Sequence, residues 1–258
     1  MNLYQKIVEL QKDRKSAVLV TVISVKGSVP RGPGAKMIVF EDGRIQGTIG
    51  GGAVEKLVIE EALQSLKTAK PAVVKHNLDD KLASDTGMVC GGKMYFFLEP
   101  LYGSGMLYIF GGGHIAQYLS ELLDMMEWPY TVIDDREEFC NSTRFPNAAD
   151  LFVEHPADYA ENMESSRNDF LVVITRGHEH DYEIVRNVLK KNFAYLGMIG
   201  SRVKRLEIYR KLIEADGFSD HDLAAIHSPI GLDIKAESPQ EIALSIMAEL
   251  IQIRNSKS

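Results

Sequence analysis

Three glycines at positions 111–113, followed by His114 and Ala116, stand where an apolar run, Met106 to Phe110, meets an amphipathic segment, His114 to Met126. Gly111, Gly113 and Ala116 fit the pattern G-x-G-x-x-A, and Asp134 follows Gly111 by 23 residues at the end of a second apolar run, Tyr130 to Ile133. Strand, tight turn, helix and a strand ending in an acid is the order in which a pyrophosphate rests on a helix N-terminus. The acid, about 20 residues on, takes a ribose. Gly111 permits the turn, Gly113 leaves room for a phosphate, Ala116 lets helix and strand pack closely, and free N–H groups attract the anion. Gly112 and His114 complete the turn and are grouped with it as cofactor-binding residues. The acid favours NAD over NADP, because it would repel a 2′-phosphate.

Other residues able to do chemistry fall after later apolar runs. Arg176, Gly177, His178, Glu179, His180 and Asp181 follow the run Phe170 to Thr175, and Gly200, Ser201 and Arg202 follow Tyr195 to Ile199. Ligands of open parallel sheets bind beyond the carboxyl ends of the strands, so these segments and the glycine turn converge on one edge. Arg202, Lys204 and Arg205 crowd a helix start, where cations are disfavoured by the helix dipole, so they read equally as an anion site or as an ordinary solvated basic face. His178 and His180, if extended, would put two rings on one side, and with Asp181 would suit zinc or iron. No third ligand stands at a recognised spacing, so hydrogen bonding to a polar ligand is the preferred reading, Asp181 is left as a helix cap, and no residue is assigned to a metal.

In the first hundred residues, Gly50, Gly51 and Gly52 precede a helical pattern and could hold an anion on free N–H groups. Arg31, in a loop of glycines and prolines, suits a phosphate or carboxylate. Cys90, before Gly91 and Gly92, reads from the residues alone first as a buried small side chain before a strand and second as a thiol with room for a ligand beside it, whereas Cys140 reads as structural.

The elements that must position these groups follow from periodicity. The spacing predicts a short helix over 2–14, strands at 18–25, 36–40 and 44–48 with a turn at Asp42-Gly43, a helix over 53–66, and strands at 73–76 and 93–98. Composition changes at Tyr102 to Gly105, so an N-terminal α+β domain is placed at 1–102 and a Rossmann-like, doubly wound parallel-sheet domain at 106–258. In the latter, strands are expected at 106–110, 130–133, 151–153, 170–175 and 195–199. Helices are expected at 114–126, 157–163, 182–190, 202–215 and 239–254.

The chain of 258 residues is 45% hydrophobic and 25% charged with net charge −7, which argues against unaided binding to nucleic acid or an anionic membrane. No apolar run approaches the length of a bilayer span and the first residues lack a signal-peptide core, so cytoplasmic residence is expected. Two cysteines suit a reducing compartment. The apolar stripe Ile242, Ile246, Leu250 and Ile253 could pack on its own sheet or on a second copy in a homodimer.

The ordered set of motifs resembles the XdhC/CoxI family, the xanthine dehydrogenase accessory proteins, over nearly the whole chain. The matching stretches are Gly27 to Arg31, Gly50 to Glu55, Cys90 to Gly92, Ile109 to His114 with Asp134 to Arg136, Thr175 to His178, Gly197 to Arg202, and Pro229 to Asp233. The resemblance implies a protein that binds molybdenum cofactor, a pterin dithiolene phosphate, and protects it during sulfuration by a cysteine desulfurase. It further implies delivery to the apo-enzyme of a molybdenum hydroxylase, without turnover of the cofactor. Many members look like G-G-G-C-x-E where this chain has Ala53, so a thiol role at that position does not transfer and Cys90 is the thiol to test. An NAD(P)-dependent oxidoreductase built on Gly111, Gly113 and Asp134 is the alternative reading, and a metal-assisted hydrolase using His178, His180 and Asp181 a third.

Overall fold

The computed structural model describes residues 2–78, 92–103 and 105–256, with His178 described in its backbone only. The chain forms two compact units, Met1–Ser104 and Gly105–Lys257.

In the first unit, helix α1 (Leu3–Lys12) starts at Asn2, whose side chain accepts from the Tyr4 N–H while the Gln5 side chain accepts from the Asn2 N–H. That reciprocal pairing satisfies donors that an uncapped helix start leaves open. Five strands follow in an antiparallel sheet: β1 (Ala17–Lys26), β2 (Lys36–Phe40), β3 (Ile45–Gly47), β4 (Ala72–Asn77) and β5 (Lys93–Leu101), in the order β3-β2-β1-β5-β4. Helix α2 (Gly52–Thr68) covers one face, packing Val54, Val58, Ala62 and Leu66 with Val18, Val20, Phe96 and Leu98. α1 covers the other through Leu10, beside Ala17, Leu19 and Ile38. The alternation of β1 between these two cores is the period-2 pattern of a strand buried on both faces.

The second unit carries a parallel sheet of six strands: β6 (Leu107–Phe110), β7 (Tyr130–Ile133), β8 (Asp150–Phe152), β9 (Phe170–Val173), β10 (Tyr195–Met198) and β11 (Ile226–His227). Their order is β11-β10-β9-β6-β7-β8. Strands β6, β7, β9 and β10 are buried at every residue, as helices on both faces of a parallel sheet require. On one face lie helices α3 (His114–Met125) and α8 (Pro239–Ser256), whose Leu119, Leu123, Ile246 and Leu250 share a core with Ile109, Val132 and Val172. On the other lie α4 (Pro156–Asn162), α5 (His178–Val188) and α6 (Arg202–Glu214), which bury Ala160, Ile184, Val188, Ile208 and Leu212 against Phe110, Val173 and Met198. A short helix, α7 (Asp220–Leu223), precedes β11. The chain reverses its winding between β6 and β9, so the crevice beyond their carboxyl ends is the ligand-binding switch point of a doubly wound, Rossmann-like sheet.

The structure differs from the sequence expectation at the start of α5 and in two short elements. Helix α5 begins at His178, four residues before the expected start. His178 and His180 are therefore about 200° apart around a helix, and the extended arrangement needed for paired rings does not exist. The short elements α7 and β11 were not expected at all. Cys90 lies outside the described residues.

Candidate functional site

The carboxyl edge of the parallel sheet gathers the glycine turn after β6, the acids after β7, Thr175 to Gly177 after β9, and Ile199 to Arg202 after β10. The glycine turn is locked. Gly111 has φ 110°, and a Cβ there would lie 2.7 Å from the Ile174 carbonyl oxygen, so the turn packs onto the end of β9. At Gly112 a Cβ would lie 2.2 Å from the Phe139 carbonyl oxygen. The Gly112 N–H donates to Asp134 Oδ2 at 2.8 Å, and its carbonyl accepts from the Arg144 guanidinium at 3.3 Å. Gly113 differs, because a Cβ there would meet nothing within 4 Å. It is the N-cap of α3, with no side chain over the helix start, and His114 beside it is exposed. Ala116 is fully buried in the α3 core.

Asp134 is buried and already satisfied. Besides the Gly112 N–H, its carboxylate accepts from Arg136 Nε and a terminal guanidinium nitrogen, each at 2.8 Å, and from the Arg136 N–H at 3.1 Å. Burial pushes this carboxyl up, but the hydrogen bonds from Arg136 and Gly112 outweigh that and hold it below the ordinary range. Arg136 stacks over Phe139 at 3.8 Å. The acid therefore clamps the glycine turn, with four hydrogen bonds from described residues on its carboxylate. Phe139 is a part of this clamp that motif spacing does not reveal.

Thr175 and Asp181 form the second group. The Thr175 hydroxyl donates to Asp181 Oδ1 and accepts from the Gly177 N–H. The other Asp181 oxygen pairs with the ammonium of Lys204, and both side chains are buried. Burial pushes the Asp181 carboxyl up, against the opposing pull of Lys204 and Thr175. Asp181 is thus not a helix cap or an available ligand but the neutralising partner of Lys204, tying α5 to α6. Arg176 is exposed and reaches Asp135 at 3.1 Å.

The charge crowding at the start of α6 resolves into three fates. Lys204 is paired inside, and Arg205 donates to the Ser228 carbonyl at 2.6 Å. Arg202 is exposed with no ion pair to a described residue. Ser201 caps the helix by accepting from the Lys204 N–H. A Cβ on Gly200 would sit 2.8 Å from Lys204 Cδ, so glycine is what lets that lysine fold back to Asp181. Gly200, Ser201 and Arg202 line one wall of a groove of about 670 Å³, and Pro229 to Ala236 line the opposite wall.

That opposite wall is pinned to α8. Glu249 accepts from Tyr195 Oη at 2.5 Å and the Gly231 N–H at 2.7 Å, with His227 Nδ1 at 2.9 Å from its other oxygen. Ser245 Oγ donates to the Leu232 carbonyl, and the Leu232 N–H donates back to the Ser245 carbonyl. The sequence offered no sign of these anchors, since Glu249 and Ser245 sit mid-helix without a motif.

In the first unit, Glu55 Oε2 accepts from the Thr48 hydroxyl and the N–H groups of Ile49 and Gly51. Part of that loop's donor capacity is therefore used internally. Gly51 is open, with nothing within 4 Å of a Cβ, and Gly52 has φ 69° at the start of α2. A Cβ on Gly50 would lie 2.5 Å from Pro30 Cγ, which places the exposed Arg31 beside the glycine loop. Cys140 is buried, 3.4 Å from the carbonyls of Val132 and Phe152, and burial pushes its thiol up, as a structural cysteine requires.

Comparison with known proteins places this architecture. The profile of the XdhC Rossmann domain matches residues 107–250, and that of the XdhC and CoxI family matches residues 10–77. The chain belongs to the XdhC/CoxI family. It is 30% identical over 256 residues to the uncharacterized protein YqeB of Escherichia coli K12, covering 99% of this chain and 47% of that one, so it spans about half of that relative's length. It is 24% identical to a Bacillus subtilis protein named as a probable subunit of xanthine dehydrogenase, over 98% of both chains. It is also 24% identical to the molybdenum cofactor insertion chaperone PaoD of Escherichia coli K12, over 96% of this chain and 86% of that one. A crystal structure described as a xanthine dehydrogenase from Bacillus halodurans superposes with a TM-score of 0.53 at 24% identity, covering 100% of this chain and 97% of that one, and shares the fold.

Proposed function

We propose that this protein binds molybdenum cofactor and serves the maturation of a molybdenum hydroxylase such as xanthine dehydrogenase. The observation that carries the reading is the groove at the start of α6. There Arg202, ion-paired to no described residue, the Ser201 cap and a helix N-terminus face a wall anchored by Glu249 and Ser245. A cation beside backbone N–H groups suits a phosphate monoester, and the groove has room for a ring system. Family membership and the names of relatives support a cofactor that is carried, not consumed. Gly113, open at the start of α3, offers a second helix N-terminus for an anion. Gly111, Gly112 and Asp134 shape that turn from behind.

In this reading Arg202, Ser201 and Gly200 receive the phosphate, and Gly113 with His114 lines the neighbouring crevice. Thr175 and Arg176 border the same edge. His178, Arg31, Gly51, Gly52 and Cys90 complete the set to be tested by substitution, Cys90 as a soft thiolate for the metal or the dithiolene. The cofactor supplies the molybdenum and dithiolene, and the protein binds, orients and shields them. Protection during sulfuration by a cysteine desulfurase, delivery to the apo-hydroxylase and self-association through the α8 stripe are further steps of the same proposal. The test is anaerobic titration with molybdenum cofactor. Arg202→Glu should abolish retention without changing the unfolding midpoint, and retention unchanged by Arg202→Glu would remove the groove from the account. A parallel titration with NAD, read by calorimetry, separates the nucleotide reading, against which stands the engagement of Asp134 by Arg136 and the Gly112 N–H.

A further inference from the structure

Helix α5 carries a second chemical feature on a face turned away from its buried Asp181. His180 and Glu183, three residues apart, project from the same side of the helix. His155, from the junction between β8 and α4, meets them there. One donor atom from each of the three lies within 4.8 Å of the others. The two imidazole rings stand 4.9 Å apart, inclined at 60°.

Neither ring is explained by hydrogen bonding among the described residues. His155 is the N-cap of α4, yet its side chain caps nothing. The His180 ring folds back over Gly177, where a Cβ would lie 3.1 Å from its Cδ2, and its Nδ1 is buried with no partner. A buried, unsatisfied imidazole nitrogen is costly and needs an explanation. We propose that His155, His180 and Glu183 form a binding site for a divalent transition-metal ion of the zinc class. Two imidazoles and one carboxylate are a zinc donor set that leaves a fourth position for water or a ligand. Donors of a tetrahedral ion at about 2.1 Å stand about 3.4 Å apart, so small side-chain rotations close the observed spacing. Bound there, the ion staples the start of α4 to the first turn of α5, beside the loop that carries Thr175 and Arg176. The site is distinct from the groove at α6 and does not depend on cofactor binding.

The test uses the full chain without a histidine tag, stripped by a chelator and titrated with Zn²⁺. Calorimetry reads stoichiometry, and Co²⁺ substitution reads geometry through the absorption of a four-coordinate ion. One equivalent should bind at micromolar concentration, and His155→Ala and His180→Ala should each lose it while retaining the native circular dichroism spectrum. Glu183→Gln, which keeps the shape of the side chain, should bind weaker, and His221→Ala, an exposed histidine elsewhere, should bind as the parent does. No uptake by the parent, or equal uptake by the His155→Ala/His180→Ala double variant, overturns the proposal. So does unchanged affinity in Glu183→Gln.

Discussion

The sharpest structural prediction concerns the buried pair Asp181–Lys204. Asp181 is 0% exposed and Lys204 8%, and the pair joins the first turns of α5 and α6. Asp181→Asn keeps the size and can still accept the Thr175 hydroxyl, but it removes the charge that neutralises Lys204 and turns an amide donor toward the ammonium. Leaving a buried charge uncompensated costs about 3–5 kcal/mol. At roughly 2–4 °C per kcal/mol for a unit of this size, the midpoint should fall by about 6–20 °C. Trp128 is the sole tryptophan of the chain, buried in the core of the second unit against Phe170, so its fluorescence in a urea titration reports that unit alone. Adding Lys204→Met to Asp181→Asn removes both charges, and replacing a buried ion pair by apolar groups is often close to neutral. The double variant should therefore recover at least half of the loss. A single variant costing less than about 1 kcal/mol, or a double variant no better than the single one, would refute this account.

Two further predictions follow from the same edge of the sheet. Gly112→Ala forces a Cβ to 2.2 Å from the Phe139 carbonyl and should destabilise the second unit by about 1–3 kcal/mol or more. Gly113→Ala, with φ −68° and open space, should fold as the parent does in the same tryptophan assay. Equal destabilisation by both would mean the turn is not locked as described. Glu249 is pushed up by burial, but the hydrogen bonds from His227, Tyr195 and Gly231 hold it below its ordinary 4.5. A carboxyl with a lowered folded pKa contributes stability that is full above its unfolded value and is lost as pH falls through the folded value. Urea midpoints measured from about pH 6 down to about pH 3 should thus fall more steeply for the parent than for Glu249→Gln, and parallel curves would contradict the network.

Much of this fold was legible because its central strands are buried on both faces and therefore appear as unbroken apolar runs. The runs Met106 to Phe110, Tyr130 to Ile133, Phe170 to Thr175 and Tyr195 to Ile199 supply strands that are neighbours in one parallel sheet. Asp42-Gly43 marked its turn because Gly43 adopts φ 81°, which a glycine permits. The start of α5 was misplaced because Gly177, its N-cap, carries no side chain to signal a cap. With the helix starting at His178, the minority reading of paired rings at His178 and His180 loses its extended segment. What the local pattern does not display at the site is its charge pairing. Asp134 looked like a ribose acid, but Arg136 and the Gly112 N–H take it. Lys204 looked like an anion site, but Asp181, 23 residues away, neutralises it. The grouping of His155 with His180 depends on α4 packing against α5, which no local pattern encodes.

We propose above that the chain holds molybdenum cofactor in the groove at α6. The most direct measurement is anaerobic equilibrium binding of the isolated cofactor to the purified full chain, with molybdenum and pterin both quantified on the recovered protein. The account predicts about one equivalent of each on the parent and loss of both on Arg202→Glu, whose fold is unchanged. Recovery of the parent with neither molybdenum nor pterin would contradict it.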